Sequence, residues 1–326
     1  MEWRDLSMVY GALPHRFKVV KLPDTMAKAS LPQSEGALLD NVLSELARKH
    51  DASEISGWET GFTNLSRALD GIRSGLYLLI GAPAIGKTSF ARQLLDQVAR
   101  HNHVPGIFFS FAETREELRI RTLARLSGLD QREIRRGSAY LLHWYGVPRL
   151  PGGEPSDLPP SWEKLKSVAA QARNWLDGIY LFECASDITI HQIEAQIAEL
   201  RTRSQSEQMM IIIDDCQRLD GGDHVGDTRL QIIAEQLQQT ARKLNLPVLA
   251  VWPDLASGSG ALAQSWGEKV ASPDVVLVME RDATRIKAMN ELGQAMILHV
   301  VKNRGGEKGR LAYDFVPAFA AFTETP

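Results

Sequence analysis

The chain is expected to fold as an α/β protein, a doubly wound and mostly parallel sheet with helices on both faces. Two observations predict this. From Gly57 onward, short apolar runs alternate with helix-length stretches, and strands separated by helices pair in parallel and are covered on both sides. The first run, Leu76–Ile80, leads through a Gly-rich turn straight into a helix start, as a βα unit does.

In chain order, residues 1 to about 34 carry scattered prolines and no period, and read as an arm or a small irregular cap. Residues 36–50 read as an amphipathic helix. Leu38, Leu39, Val42, Leu43, Leu46 and Ala47 share one face, and Asp40, Glu45, Arg48 and Lys49 the other. That stripe packs either on its own domain or on a neighbouring subunit; the pattern does not choose. Residues 1–56 are thus expected as arm and linker helix, and 57–326 as the main domain. Strands are expected at Leu76–Ile80, Ile107–Phe111, Ile179–Phe182, Met209–Asp214, Pro247–Trp252, Asp274–Met279, Met296–Val301 and Leu311–Phe315, the last ones antiparallel at one edge. Helices are expected over 87–100, 115–127, 162–175, 189–203 and 229–244, and a Pro/Gly-rich surface loop over 146–160.

The bulk properties set bounds. A chain of 326 residues with 44% hydrophobic residues can bury a sizeable core. The net charge of −3 announces no nucleic acid, but a protein gripping DNA through a few loops needs no basic total. Cys184 and Cys216, the only cysteines, make neither a disulfide framework nor a zinc site and fit a reducing cytoplasm. No apolar run is long enough to span a bilayer, so no membrane partner is expected.

The chemistry begins at Gly81-Ala82-Pro83-Ala84-Ile85-Gly86-Lys87-Thr88-Ser89, a G-x-x-x-x-G-K-T phosphate-binding loop between strand and helix. Its glycines let successive N–H groups point at a polyphosphate, and the helix adds the positive end of its dipole. Lys87 is expected on the β- and γ-phosphates and Thr88 on Mg²⁺, with ATP the expected nucleotide. About 125 residues later the apolar run Met209–Ile213 ends in Asp214, the second Mg²⁺ candidate, while Asp215 turns toward the next loop.

Further stretches carry a family resemblance. Thr60-Gly-Phe-Thr-Asn-Leu65 with Gly71 and Gly75 precedes the loop, and Ile107–Leu118 follows it. Asp215-Cys-Gln-Arg218, Lys243–Val248 and Val301-Lys-Asn-Arg304 come after. Together, over roughly residues 57–322, they resemble the motor domain of the DnaB-type replicative helicases, RecA-like hexameric ATPases that move on single-stranded DNA. The KaiC and RadA ATPases share that core. The resemblance implies a RecA-like fold, a homo-hexamer, single-stranded DNA as partner, and a replication or recombination protein as a further one. It makes Gln217 the residue coupling nucleotide state to DNA-binding loops, and Lys302 and Arg304 the pair reaching the neighbour's γ-phosphate. From residues alone, Lys302 and Arg304 read as a solvated basic turn. The 36–50 helix falls where the family has its linker helix, which raises the neighbour-docking reading.

Three departures qualify this. The family's catalytic glutamate position is Ala112 here, with Glu113 next; on a continuing strand a one-residue shift turns the side chain away, and after a strand end it need not. The family's Ser-Gln-Leu sensor is Trp252-Pro-Asp254. The loop Ala256–Ser265 has no basic residue, leaving backbone N–H groups, Arg218, Arg229 or Lys269 to hold DNA phosphates. Residues 1–56 are also too few for the family's N-terminal helical domain. The alternative function is therefore a RecA/KaiC/RadA-like ATPase whose nucleotide state controls assembly or partner binding, with weak or no unwinding.

Overall fold

The computed structural model describes residues 55–136, 160–186, 188–219, 226–253, 272–285 and 293–325, together with residues 34, 36, 39, 40, 43 and 44. The chain divides into two units, Met1–Ser53 and Glu54–Pro326. In the first, Gly36, Leu39, Asp40, Leu43 and Ser44 are helical, and the Ser44 hydroxyl donates to the Asp40 carbonyl one turn back at 2.7 Å. Leu39 and Leu43, also one turn apart, are 53% and 55% exposed. The arm before residue 34 and the loop 146–159 lie outside the described residues.

The second unit is built on one nine-stranded sheet. In chain order its elements are α1 (Thr63–Leu69), β1 (Gly75–Gly81), α2 (Lys87–Asn102), β2 (Gly106–Ser110), α3 (Arg115–Ser127), α4 (Gln131–Arg136), α5 (Pro160–Leu176), β3 (Ile179–Glu183), α6 (Ile190–Ser204), β4 (Met210–Asp214), α7 (Gly226–Leu244), β5 (Pro247–Pro253), β6 (Val275–Arg281), β7 (Gln294–Asn303), β8 (Gly309–Val316) and β9 (Ala321–Glu324). The strand order is β3-β2-β4-β5-β1-β6-β7-β8-β9. The first six strands are parallel; β7, β8 and β9 continue the sheet antiparallel.

The expected doubly wound sheet with an antiparallel edge is thus present, and the reason is visible strand by strand. Successive residues of β1 face opposite ways. Leu76, Leu78 and Ile80 join Ile211, Ile213, Val248 and Ala250 in a core closed by Ile193 and Ile197 of α6 and Ile233 and Leu237 of α7. Tyr77 and Leu79 join Ile212, Leu249 and Val251 in a second core, closed by Phe90, Leu94 and Val98 of α2 and Leu65 of α1. Both faces are dry, so continuous apolar runs replace alternation. Truncating a side chain such as Leu79 to Ala leaves a void neither layer can fill, at a cost of about 2–5 kcal/mol.

Two departures from expectation have a visible cause. β2 ends at Ser110 rather than Phe111, because the Ser110 hydroxyl takes over the local hydrogen bonding: it donates to the Glu113 carbonyl (2.7 Å) and accepts from the Glu113 amide (3.0 Å). β9 was not expected at all. It is held by a side chain that imitates a strand: Gln93 of α2 donates to the Phe322 carbonyl (2.9 Å) and accepts from its amide (2.8 Å). Glu324 then accepts the free amides of Asn64 and Leu65 at the start of α1 (3.0 and 2.9 Å).

Candidate nucleotide site

The parallel strands place their C-terminal ends on one edge of the sheet, where doubly wound folds bind ligands. β1 ends there at Gly81, and the loop 82–86 turns the chain into α2. Ala84 (φ 60°) and Gly86 (φ 103°) make that turn through left-handed backbone. A Cβ on Gly86 would meet the rings of Phe315 and Phe322 at 2.8–3.0 Å, so only glycine fits. Those two rings stack at 4.2 Å and form the floor under the loop. Gly86 offers α2 no side-chain cap, and no acidic residue occupies the helix's first turn. The first amides of α2 are therefore suited to an anion. Lys87 curls over the loop, its Nζ donating to the carbonyls of Gly81 (2.7 Å) and Ala82 (2.8 Å).

Asp214 ends β4 on the same edge and is only 3% exposed. The Thr88 hydroxyl bonds it, while its Oδ2 is buried without a hydrogen-bond partner among the described residues. Burial pushes its pKa up to about 6, helped by the charges of Glu113 and Asp215; the Thr88 bond and Lys87 pull the other way. A hydroxyl beside a carboxylate with an unused oxygen is a hard-oxygen pair of the kind Mg²⁺ takes. Among the described residues no group of three or more His, Cys, Asp or Glu could hold a metal alone. Mg²⁺ usually completes its shell with phosphate oxygens and water, so Thr88 and Asp214 fit that role.

Asp215 turns away as expected, in left-handed backbone (φ 67°), and pairs with Arg218 at 2.7 Å. Arg218 also donates to the Phe111 carbonyl (3.3 Å), and the Phe111 amide donates to the Asp214 carbonyl (3.2 Å). These bonds tie the ends of β2 and β4 together and set half-buried Gln217 in the turn beside them. Trp252, level with Ile80, is fully buried, so the place of a polar sensor is apolar.

Glu113 lies beyond the strand end, where strand alternation no longer dictates direction. Its carboxylate is gripped by Arg121 of α3: Nε donates to Oε2 at 2.7 Å and the NH2 nitrogen donates to Oε1. Arg121 also donates to the Ser89 hydroxyl at 2.8 Å, on the first turn of α2. Ala112 is exposed. Nothing in the sequence motifs flagged Arg121.

Lys302 and Arg304 sit elsewhere. Lys302 pairs with Val276, which pairs with Leu78, and the Arg304 amide bonds the Asp274 carbonyl at the level of Leu76. Arg304 is thus five strand residues below Gly81, roughly 17 Å at about 3.3 Å per residue. Arg304 stands at the opposite edge of the sheet from the chain's own phosphate loop, and Lys302 is level with the middle of β1. Burial, with the neighbouring Arg304 charge, lowers the Lys302 pKa. The loop Ala256–Ser265 and Lys269 lie outside the described residues.

Comparison with known proteins agrees with this architecture. Residues 57–148 match the family described as DnaB-like helicase C terminal domain. The chain is 28% identical over 236 residues to the replicative DNA helicase DnaB of Synechocystis, covering 72% of this chain and 24% of that protein. It is 25% identical over 306 residues to the Pasteurella multocida DnaB, covering 89% and 61%. The chain therefore spans between a quarter and about three fifths of these relatives' length. Among solved structures, one described as an ATPase domain superposes with a TM-score of 0.72 at 18% identity, over 90% of this chain and all of that one. A DnaB-like replicative helicase, solved in a study of its interactions with primase, gives 0.70 at 18% identity, over 90% and 69%. The resemblance to DnaB-type motor domains holds in sequence, and the fold is that of their RecA-like ATPase domains.

Proposed function

We propose that this chain is an ATP-hydrolysing motor of the DnaB-helicase type, working as a homo-oligomeric ring, a hexamer, on single-stranded DNA. The observation that carries the reading is a division of labour between two sheet edges. Lys87, Thr88 and Asp214 converge on one edge, while Arg304 stands on the other with Lys302 two residues short of it, an arrangement that supports their serving a neighbour's nucleotide. Lys87 binds the β- and γ-phosphate oxygens once it leaves its own loop carbonyls. Thr88 and Asp214 hold Mg²⁺, which offsets charge on the transferring phosphoryl group. Glu113 takes a proton from water as the water oxygen bonds the γ-phosphorus, and the bond to the β-phosphate oxygen breaks to leave ADP and phosphate. Arg304 of the adjacent subunit stabilises the charge on that group, a contribution of about 10³–10⁵ in rate in well-studied cases. Gln217, between Asp214 and Arg218, reports the nucleotide state to the DNA-facing loops. The exposed Leu39 and Leu43 support docking of the N-terminal helix on a neighbouring subunit, which would bury them. Among the described residues no helix is long and apolar enough to cross a membrane.

Buried Trp252, in place of a polar sensor, favours a second reading in which nucleotide state controls assembly or the binding of a replication or recombination protein with little unwinding. One set of measurements separates the two: ATPase rate with and without single-stranded DNA, strand displacement, and mass by light scattering with ATP·Mg²⁺. DNA-stimulated hydrolysis and displacement by a ring support the motor. A ring that hydrolyses ATP without displacing strands supports the second reading, and a Lys87→Ala protein that still binds ATP as tightly as the parent refutes both.

A further inference from the structure

We propose that Arg121 is the positioning residue of ATP hydrolysis, fixing Glu113 against the phosphate loop; the inference rests on Glu113 being the base. Glu113 stands one residue past the family position, so nothing in the strand directs it toward the nucleotide. Three features of the fold do so instead. The Ser110 hydroxyl clamps both backbone groups of Glu113 at 2.7 and 3.0 Å and fixes where its Cα lies. A capping box follows immediately: the Thr114 amide donates to Glu117 Oε2 (2.9 Å), and the Glu117 amide donates to the Thr114 hydroxyl (3.2 Å). This holds the first turn of α3 rigid relative to Glu113. Arg121, two turns along the same helix, then takes both carboxylate oxygens in its planar fork and anchors its third nitrogen on Ser89.

The fork matters for the chemistry. Two parallel N–H···O bonds fix the rotation of the carboxylate as well as its place, which a lysine ammonium cannot do. Each carboxylate oxygen has two lone pairs, so one remains on each to accept a proton from water. The Glu113 and Arg121 side chains are 19% and 24% exposed, screened but reachable. Ser89 adjoins Thr88, so the guanidinium joins the base to the element that carries the nucleotide. Arg121 has its own support. Arg92 of α2 and Arg125 of α3 both pair with buried Asp96, and Thr122 donates to Asp96 Oδ2 at 2.9 Å. This buried group locks α3 onto α2 and sets the distance that Arg121 spans. The charge of Glu113 also reaches Asp214, which puts the carboxylate at the metal-binding end of the site.

The test compares Arg121→Ala, Arg121→Lys, Glu113→Gln and the double variant Arg121→Ala/Glu113→Gln in the full chain. Steady-state ATP hydrolysis with Mg²⁺ and the affinity for a fluorescent ATP analogue are measured on each. Arg121→Ala should lower kcat by about 10²-fold, the loss expected from a slightly misplaced group, with KM and analogue affinity unchanged. Arg121→Lys should restore part of it, and the double variant should be no slower than Glu113→Gln alone. If Arg121→Ala does not fold, Arg121→Lys reads the same kcat-against-KM split. The proposal is overturned if kcat is unchanged or rises in Arg121→Ala, if affinity falls in step with kcat, or if the two losses multiply in the double variant. Full activity in Glu113→Gln is a separate outcome that removes the base reading itself.

Discussion

Arg304 and Asp274 are joined twice at the foot of the sheet: the guanidinium lies 3.1 Å from the carboxylate, and the Arg304 amide donates to the Asp274 carbonyl at 2.9 Å. Asp274 is itself fixed, since its Oδ2 accepts from the Leu76 amide (3.0 Å) and Gln238 Nε2 (2.8 Å). The arginine is therefore held on a rigid mount, and its proposed service to a neighbouring subunit can be tested. Arg304→Ala should reduce hydrolysis far more than ATP binding. Subunits lacking Lys87 but keeping Arg304 should partly rescue Arg304→Ala subunits when the two are mixed. An absence of rescue at every mixing ratio would count against delivery between subunits.

Asp274→Asn tests the mount separately. The side-chain amide loses the ion pair with Arg304 and, in either orientation, sets its NH2 donor against other donors: the Arg304 guanidinium, or the Leu76 amide and Gln238 Nε2. Stability should fall by about 1–3 kcal/mol, the cost of an unsatisfied buried group, and hydrolysis should fall with ATP affinity intact. Urea denaturation and analogue binding read the two effects. Unchanged turnover in a stably folded Asp274→Asn protein would show that Arg304 needs no mount.

Gly86→Ala should abolish ATP binding while leaving the rest of the sheet folded. The added methyl meets the Phe315 and Phe322 rings, and the left-handed backbone strains any side chain. Strain of this type costs about 1–3 kcal/mol, which the loop can relieve only by moving its amides. Analogue titration alongside circular dichroism checks it; normal affinity would mean the loop tolerates the shift.

Ala112→Glu and Glu113→Gln decide which position supplies the base. With Glu113 active, Glu113→Gln should slow hydrolysis by about 10²–10⁴-fold, the usual worth of a positioned base, and bind ATP normally. Ala112→Glu should then add little. A rate that rises in Ala112→Glu and holds in Glu113→Gln would reverse the assignment.

Affinity for single-stranded DNA should depend weakly on salt. The loop Ala256–Ser265 contributes no cation, so few counterions are released on binding. Fluorescence anisotropy across a salt series gives the slope of log affinity against log salt. A steep slope would place the phosphate contacts on basic residues elsewhere.

The sequence revealed what depends on contiguous residues. The phosphate loop, Asp214 and the eight longer strands each carry their signal within a dozen positions, and their edges fell within a residue or two. Short elements held from outside were not visible. β9 has four residues and exists because Gln93, 229 positions earlier, pairs with it. α1 was missed for a similar reason, since Glu324 satisfies its first amides. The end of β2 was misplaced by one residue because a serine hydroxyl, not a change in apolarity, stops the strand. Arg121 stayed hidden because an arginine on a charged helix has no pattern that distinguishes a partner from solvent.

The floor beneath the phosphate loop has a consequence for how the protein is made. The loop is complete by residue 89, yet the rings that support Gly86 come from residues 315 and 322, and Gln93 pairs with Phe322. On the ribosome, the loop sequence therefore emerges long before its support. The loop cannot take this geometry until translation has passed residue 324 and β9 has paired with β8. Any nucleotide this loop holds therefore waits on the pairing of β9, and not on the loop sequence alone.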